Sequence, residues 1–349
     1  MKGQYHGGSD KWLHINQLVC DQQIGMLALQ ETHLTKTEED AINDTFHHRL
    51  HVLSSLDPTS PNAKGVAIVI NKQLTNSKNI RTFDIIPGRA LLARIPWHKE
   101  SHLNILNVYA PNDSTSNETF WTELLSKVQG LPKPDIILGD FNLVEDALDR
   151  LPPHLDAHAA TEALAQLRAS LRLTDGWRVE NPDSTAFTFS QSRAQGGRQS
   201  RIDHIYTNEN VLLFSNEWKI EPSGIHTDHQ LISARVSNHR MPYIGRGRWS
   251  LPLFILNDKE VADDILTLGR GLQQSLDSIQ SPQNCSTMNN PQTIFKAFKD
   301  EVITKCWSAA KKAIPRIQQK MNTIKANLKT VLADDSLSEE ERQYVSFEL

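Results

Sequence analysis

Apolar residues recur along this chain in two textures, and the change from one to the other divides it. In residues 1–237 short apolar runs alternate with stretches at helical spacing. Trp12, Ile15, Leu18 and Val19 share one face of a helix predicted over residues 10–21, with Ser9 or Asp10 as its cap. The apolar run at 24–30 predicts a buried strand. Further strands are predicted at 66–70, 90–95, 103–109, 135–138, 186–189, 202–206, 217–220 and 231–236, and helices at 38–46, 118–128 and 161–171. Many strands with a few interspersed helices predict a mixed α/β domain.

Beyond residue 237 the pattern changes. A basic, aromatic, turn-rich stretch at 245–252 is followed by mostly helical sequence after Asp258, a polar linker at 281–292 and a long helix at 293–333. Pro315 should break or kink that helix, because it lacks an amide proton and its ring meets the preceding turn. No apolar run approaches the ~18 residues of a membrane span.

The 349-residue length suggests about two domains. The expected division is residues 1–237 as one domain and 238–349 as a basic, mostly helical connector. Charge follows that division: the first part carries 22 Lys+Arg against 28 Asp+Glu, the second 15 against 13. Between Lys296 and Lys329 there are nine basic residues and two acidic ones. An acidic body followed by a basic segment fits a metal-dependent catalytic domain joined to something that meets polyanions. By charge alone, a solvated helix face explains the segment equally well. Cys20, Cys285 and Cys306 are far apart and form no paired framework. That usage points to a reducing compartment, nucleus or cytoplasm, without structural zinc.

The informative feature is where acids fall relative to the apolar runs. Glu31 ends the first run; Asp140 and Asn142 end Asp-Ile-Ile-Leu-Gly-Asp-Phe-Asn; Asp203 lies in Arg-Ile-Asp-His-Ile-Tyr; Asp228 and His229 precede a further run. Carboxylates are seldom buried unless paired or bound to a cation. Hard oxygen donors favour magnesium or manganese over zinc. A histidine beside them supplies a donor for an oxyanion, a set suited to phosphoester hydrolysis.

Five ordered motifs carry a resemblance: Gln30-Glu31-Thr32, Asn107-Val-Tyr109-Ala-Pro-Asn112, Gly139-Asp140-Phe-Asn142, Arg201-Ile-Asp203-His-Ile and Thr227-Asp228-His229. In that order the chain resembles the endonuclease/exonuclease/phosphatase superfamily, most closely the endonuclease domain of non-LTR retrotransposon polyproteins. The resemblance implies an α/β fold, a four-layer sandwich of two packed β-sheets flanked by helices, with a helical C-terminal extension here. It implies Glu31 as principal magnesium ligand and Asp228 as a second ligand or support. Asp140 would orient or deprotonate the attacking water, with Asn142 holding the water or the phosphate. His229 would donate to the scissile phosphate, Asp203 would hold that imidazole, and Tyr109 and, more weakly, Asn112 would bind the phosphate. The expected cofactor is Mg2+, with Mn2+ possible, and the expected partner is DNA.

The loop 190–201 holds three arginines, two adjacent glycines and no acid. Arg193 and Arg198 are expected to contact DNA from it, or else it is an ordinary polar loop. His33, His204 and His226 are expected to be structural or solvent-facing, and Trp177 and Trp218 to be core. One departure from the family is expected at the start. The first strand, with its metal- or phosphate-binding asparagine, would precede Met1, and nothing before Asp10 replaces it. A late start or a decayed fragment would account for that. A reverse transcriptase domain, expected in a full-length element, does not follow within the 349 residues. The leading expectation is a DNA-nicking phosphodiesterase. The alternatives are a phosphoesterase with a non-nucleic substrate and a nucleic-acid-binding remnant without turnover.

Overall fold

Trp12, Ile15, Leu18 and Val19 do form one face of a helix, α1 (Gly8–Asp21), and all four are buried. The computed structural model describes residues 8–60, 64–97, 101–191, 196–225, 227–237, 251–279, 285–287, 289–332, 334 and 336–348. After α1 come β1 (Met26–Gln30), α2 (Lys36–Thr45), β2 (Leu50–Ser55), β3 (Val66–Asn71), β4 (Arg81–Ile86), β5 (Ala90–Pro96) and β6 (His102–Tyr109). Next are α3 (Ser114–Lys127), β7 (Ile136–Asp140), β8 (Arg150–Leu151), α4 (His158–Leu171), β9 (Leu173–Asp175) and α5 (Gly176–Glu180). Then β10 (Phe189–Ser190), β11 (Gln199–Ser200), β12 (Asp203–Asn208), α6 (Glu209–Leu212), β13 (Ser215–Glu221) and β14 (Leu231–Val236). Three helices end the chain: α7 (Lys259–Asp277), α8 (Pro291–Leu332) and α9 (Glu339–Glu348).

Two sheets dominate. One has the order β1-β3-β2; the other runs β4-β5-β6-β7-β12-β9. The second is antiparallel except for β6 and β7, which are parallel and are joined through α3, as a parallel pair requires. Asp113 caps that helix, its carboxylate accepting from the Ser116 amide at 2.9 Å.

Strand periodicity builds the layers. Val66, Ile68 and Ile70 of β3 share a core with Leu91, Ala93 and Ile95 of β5 and Ile105 of β6, which joins the two sheets. Ala67 and Val69, on the other face of β3, pack with the buried face of α1. On the outer face of the second sheet, Leu92, Leu106 and Val108 meet Phe120, Trp121 and Leu124 of α3 and Leu164 and Leu167 of α4. The result is helix, sheet, sheet, helix: the expected four-layer α/β arrangement. Fully buried Asn107 ties the sheets together. Its amide donates to Leu29 O at 3.1 Å and Ala67 O at 2.9 Å, and its Oδ1 accepts from Gln30 at 2.8 Å.

Several expected elements shift. β2, β4 and β9 form where no strand is predicted. The strand predicted at 186–189 shrinks to β10, because its partner β11 is two residues long. α8 runs through Pro315 without the expected break; on an exposed helix water satisfies the carbonyl that proline leaves unpaired. Trp177 and Trp218 are core, as expected. Most of the basic stretch at 245–252, as well as Arg193 and His226, lies outside the described residues.

Among the described residues β1 pairs with β3 alone, and β13 and β14 pair only with each other. By compactness the chain divides into Met1–Arg246 with Val331–Leu349, and Gly247–Thr330. The second unit has its own small core of Ile255, Val261, Cys306 and Ala310. No described helix is long and apolar enough to cross a membrane.

Candidate active site

Strand register assembles the site. Tyr109 ends β6 and lies opposite Asp140 at the end of β7; Asp140 in turn lies opposite Asp203 at the start of β12. Three neighbouring strands thus place a phenol and two carboxylates side by side at one end of the central sheet. Gly139 makes the approach possible: at φ +138° it brings its Cα so near β6 that a Cβ would stand 2.0 Å from Val108 O.

The other sheet delivers Glu31, one residue past β1. The Tyr109 hydroxyl donates to Glu31 Oε1 at 2.7 Å and so links the two sheets at the site. Burial and that bond to Glu31 push the Tyr109 phenol well above its ordinary range, so it is a neutral donor. Glu31 and Asn142 both adopt the left-handed backbone region, φ 52° and 48°, which non-glycine residues seldom occupy. For Asn142 the turn has a local explanation. Its amide donates to Asp140 Oδ1 at 2.9 Å, and its side-chain nitrogen donates to Ala110 O at 2.9 Å.

His229 stands just before β14, in a bridge with Phe189. Its Nδ1 lies 2.8 Å from Asp203 Oδ2. An ionised carboxylate only accepts, so Nδ1 carries the proton and the other ring nitrogen, Nε2, is left for a ligand. Burial disfavours the imidazolium, but the Asp203 hydrogen bond and charge outweigh it and raise the pKa to about 9. Asp203 is itself held by the Thr188 hydroxyl, which accepts from the amides of Ile202 and Asp203 at 3.1 and 3.0 Å.

Asp140 is 6% exposed, and it lacks a cationic hydrogen-bond partner among the described residues. Burial first, then the charge of Asp203, raises its pKa to about 8. A carboxylate so placed is stabilised in its charged form by a cation nearby. Among the described residues no three His, Cys, Asp or Glu side chains close into a metal cage. Magnesium does not need one: it is held by one or two carboxylates, with waters and substrate phosphate completing the shell. The hard oxygen donors of Glu31 and Asp140 fit such an ion.

The remaining expected residues sit further out. Asp228 is exposed, and its carbonyl accepts from Ser190 N at 3.4 Å. Asn112 is exposed in the turn before α3. Arg198 is exposed, and its carbonyl closes the β10–β11 hairpin with Gln191 N at 2.8 Å. His204 is buried among core groups, as expected for a structural histidine. Sequence reasoning misses Arg89 and Thr188. The Arg89 guanidinium lies over the Tyr109 ring, 5.1 Å from its centre, and donates to Tyr109 O at 2.9 Å. Its one sequence signal is a cation opening an apolar strand.

Behind the site lies a second charged cluster. Arg201, 2% exposed, donates to both oxygens of Asp149 at 2.7 Å and to Asp175 at 2.8 Å. Arg178 also pairs with Asp149, and His204 Nδ1 lies 3.3 Å from Asp175. Burial opposes ionisation of Asp175, but the His204 contact and the Arg201 charge prevail and hold it well below the usual carboxylate range.

Solved structures share this architecture. The 3'-5' exonuclease NExo of Neisseria meningitidis has a TM-score of 0.54 at 20% identity, over 65% of this chain and 95% of that one. An AP endonuclease from Archaeoglobus fulgidus has a TM-score of 0.53 at 19% identity, over 66% and 95%. The endonuclease domain of TRAS1, a telomere-specific non-LTR retrotransposon, has a TM-score of 0.50 at 14% identity, over 66% and 94%. These likenesses define the fold class. Residues 16–239 match the Endonuclease/Exonuclease/phosphatase family model, and the chain belongs to that family. The "Transposon TX1 uncharacterized 149 kDa protein" of Xenopus laevis is 29% identical over 246 residues, 70% of this chain. The matched part is 18% of that relative's length.

Proposed function

We propose that this chain hydrolyses DNA phosphodiester bonds as a magnesium-dependent nicking endonuclease of a retrotransposon. The observation that carries the reading is the registered row Tyr109, Asp140, Asp203, with Glu31 and His229 brought against it from other elements. Glu31 would hold the divalent ion beside Asp140, and the ion supplies charge neutralisation at the phosphate. Asp140 orients the attacking water and takes its proton, a role its raised pKa suits. Asn142 fixes that carboxylate through its amide. His229, kept protonated by Asp203, donates from Nε2 to the phosphate oxygen, and Tyr109 adds a neutral donor. The transposon relative and the retrotransposon endonuclease fold favour DNA as the substrate, and Arg198 and Arg193 would steady it near the cut.

The test is relaxation of supercoiled plasmid with magnesium and with EDTA, beside phosphate release from a phosphoinositide. Relaxed circles are expected with magnesium alone, and Asp140→Ala is expected to remove most of them. Near-normal nicking by Asp140→Ala would overturn the assignment. Phosphoinositide turnover without nicking would move the chain to a non-nucleic substrate.

A further inference from the structure

The second unit carries an apolar stripe that the catalytic reading does not use. Along α8, Ile303, Trp307, Ala310, Ile314 and Ile317 follow one another at alternating steps of four and three residues. Met321, Ile324 and Leu328 continue the same alternation. Among the described residues, Ala310 is the one member of the stripe that joins the small core, beside Val302, Cys306, Ala309 and Ala313 of the adjoining face. Ile303, Trp307, Ile314 and Ile317 are 44–52% exposed. Met321, Ile324 and Leu328 are half-buried.

The period of the stripe says what covers it. Alternating steps of four and three average about 3.5 residues, against about 3.6 per turn of a straight helix. Such a stripe drifts ~20° round the helix with each heptad, and it stays against a partner when two helices supercoil. A helix lying on a lipid surface has no use for that drift; it keeps a broad apolar face at the period of a straight helix. Pro315 lies outside the stripe and leaves it uninterrupted.

Charge selects the kind of helix. Lys311 and Lys325 line one flank of the stripe and Lys320 the other, all three exposed. Lys311 Nζ leans over the stripe, 5.2 Å from the Trp307 ring centre. No acid lies between Val302 and Leu332. In a parallel pair of copies Lys320 would face Lys325 of the second copy, and in either direction neither flank offers an acid to relieve the repulsion. A helix with Asp or Glu beside its own apolar stripe meets the seam and the lysines together.

We propose that this face of α8 forms a two-helix coiled coil with an acidic amphipathic helix of a partner protein, Ile303, Trp307, Ile314 and Ile317 entering the seam and Lys311, Lys320 and Lys325 pairing with the partner's acids. The surface serves assembly, and the proposal does not rest on the nuclease reading.

The test uses the full chain and a fluorescein-labelled four-heptad peptide, with Ile and Leu in the seam and Glu beside it, read by anisotropy. A twin peptide carries Lys in place of each Glu. The Glu peptide should bind at least ~10-fold more tightly than the twin, and added salt should narrow the gap. Ile314→Gln with Ile317→Gln should weaken binding of the Glu peptide by ~10-fold or more, since two apolar side chains leave the seam. Lys311→Glu, Lys320→Glu and Lys325→Glu together should reverse the preference in favour of the twin. All of these side chains are exposed, so an unchanged thermal midpoint accompanies the expected result. Equal binding of the two peptides, or binding of neither, would overturn the proposal. So would dimerisation of the chain that the isoleucine pair abolishes and the Glu peptide does not compete with, which would make a second copy the occupant. Capture by anionic phospholipid vesicles without binding of the Glu peptide would overturn it as well.

Discussion

Two buried carboxylate clusters lie close together in the first unit, and they have opposite electrostatics. In one, Asp149 and Asp175 meet Arg201, with Arg178 and His204 beside them, and Asp175 stays ionised well below the ordinary range. In the other, Asp140 and Asp203 face each other across adjacent strands near Glu31, and Asp140 is pushed up to about 8. The first carries its own cations and is structure. The second has one protonated imidazole for three acids, and on the proposed reading a cation from outside would complete it. Both clusters flank β12, through Asp203 at its start and Asp175 on its neighbour β9, and they differ without a change of residue type. The contrast also shows that burial alone does not set a carboxylate's charge; what matters is whether the protein supplies the counter-charge.

The largest expected effects separate the clusters directly. Replacing Arg201 with Met leaves Asp149 and Asp175 buried without their main partner, and should cost about 3–5 kcal/mol in denaturant unfolding. The sign with pH follows from Asp175. Its folded pKa lies below its unfolded value, so its contribution is full above the unfolded pKa and fades as pH falls through the folded one. The wild-type advantage over Arg201→Met should therefore narrow below about pH 4, the ordinary Asp range. A loss that stays constant down to pH 2 would remove the ionic account. Asp140→Asn should behave oppositely. In EDTA at neutral pH it removes a carboxyl whose folded pKa is raised, and should stabilise by about 1.4 kcal/mol or more, the worth of one pKa unit. Adding magnesium should then stabilise the wild type more than the variant. A clear loss of stability in EDTA would show that Asp140, like Asp149, is a structural acid.

The outline of this contrast was legible in the chain, but its partners were not. Glu31, Asp140 and Asp203 stand out because each acid interrupts or ends an apolar run. The mixed α/β class follows from the alternation of strand and helix patterns, and the four-layer order from the family resemblance alone. Register does not: that Tyr109, Asp140 and Asp203 lie side by side depends on pairing between strands far apart in sequence. Asp149 sits in an unremarkable turn, and its meaning comes from Arg201, 52 residues on. β4 gives little strand signal because it is an edge strand with half of its positions, Arg81, Thr82 and Asp84, polar and exposed. Thr188 carries no signal at all, since a hydroxyl that accepts two backbone amides looks like any strand threonine.

The smallest expected effect tests how the open cluster is held before a cation arrives. Tyr109→Phe removes the donor at 2.7 Å from Glu31 Oε1 and nothing else of comparable size. A typical hydrogen bond contributes about 1 ± 0.5 kcal/mol net, and one to a charged group about 1.5–3. The loss in EDTA should fall near 1 kcal/mol, because Glu31 is only partly buried and water reaches the vacated oxygen. With magnesium the loss should shrink further, since a cation at Glu31 would supply the charge compensation that the phenol's hydrogen bond contributes. The same measurement on Arg178→Met, in the closed cluster, should show no response to magnesium. If magnesium leaves the Tyr109→Phe deficit unchanged, Glu31 is not where the ion binds, and the division between a self-sufficient and a cation-requiring cluster has to be redrawn around Asp140 and Asp203 alone.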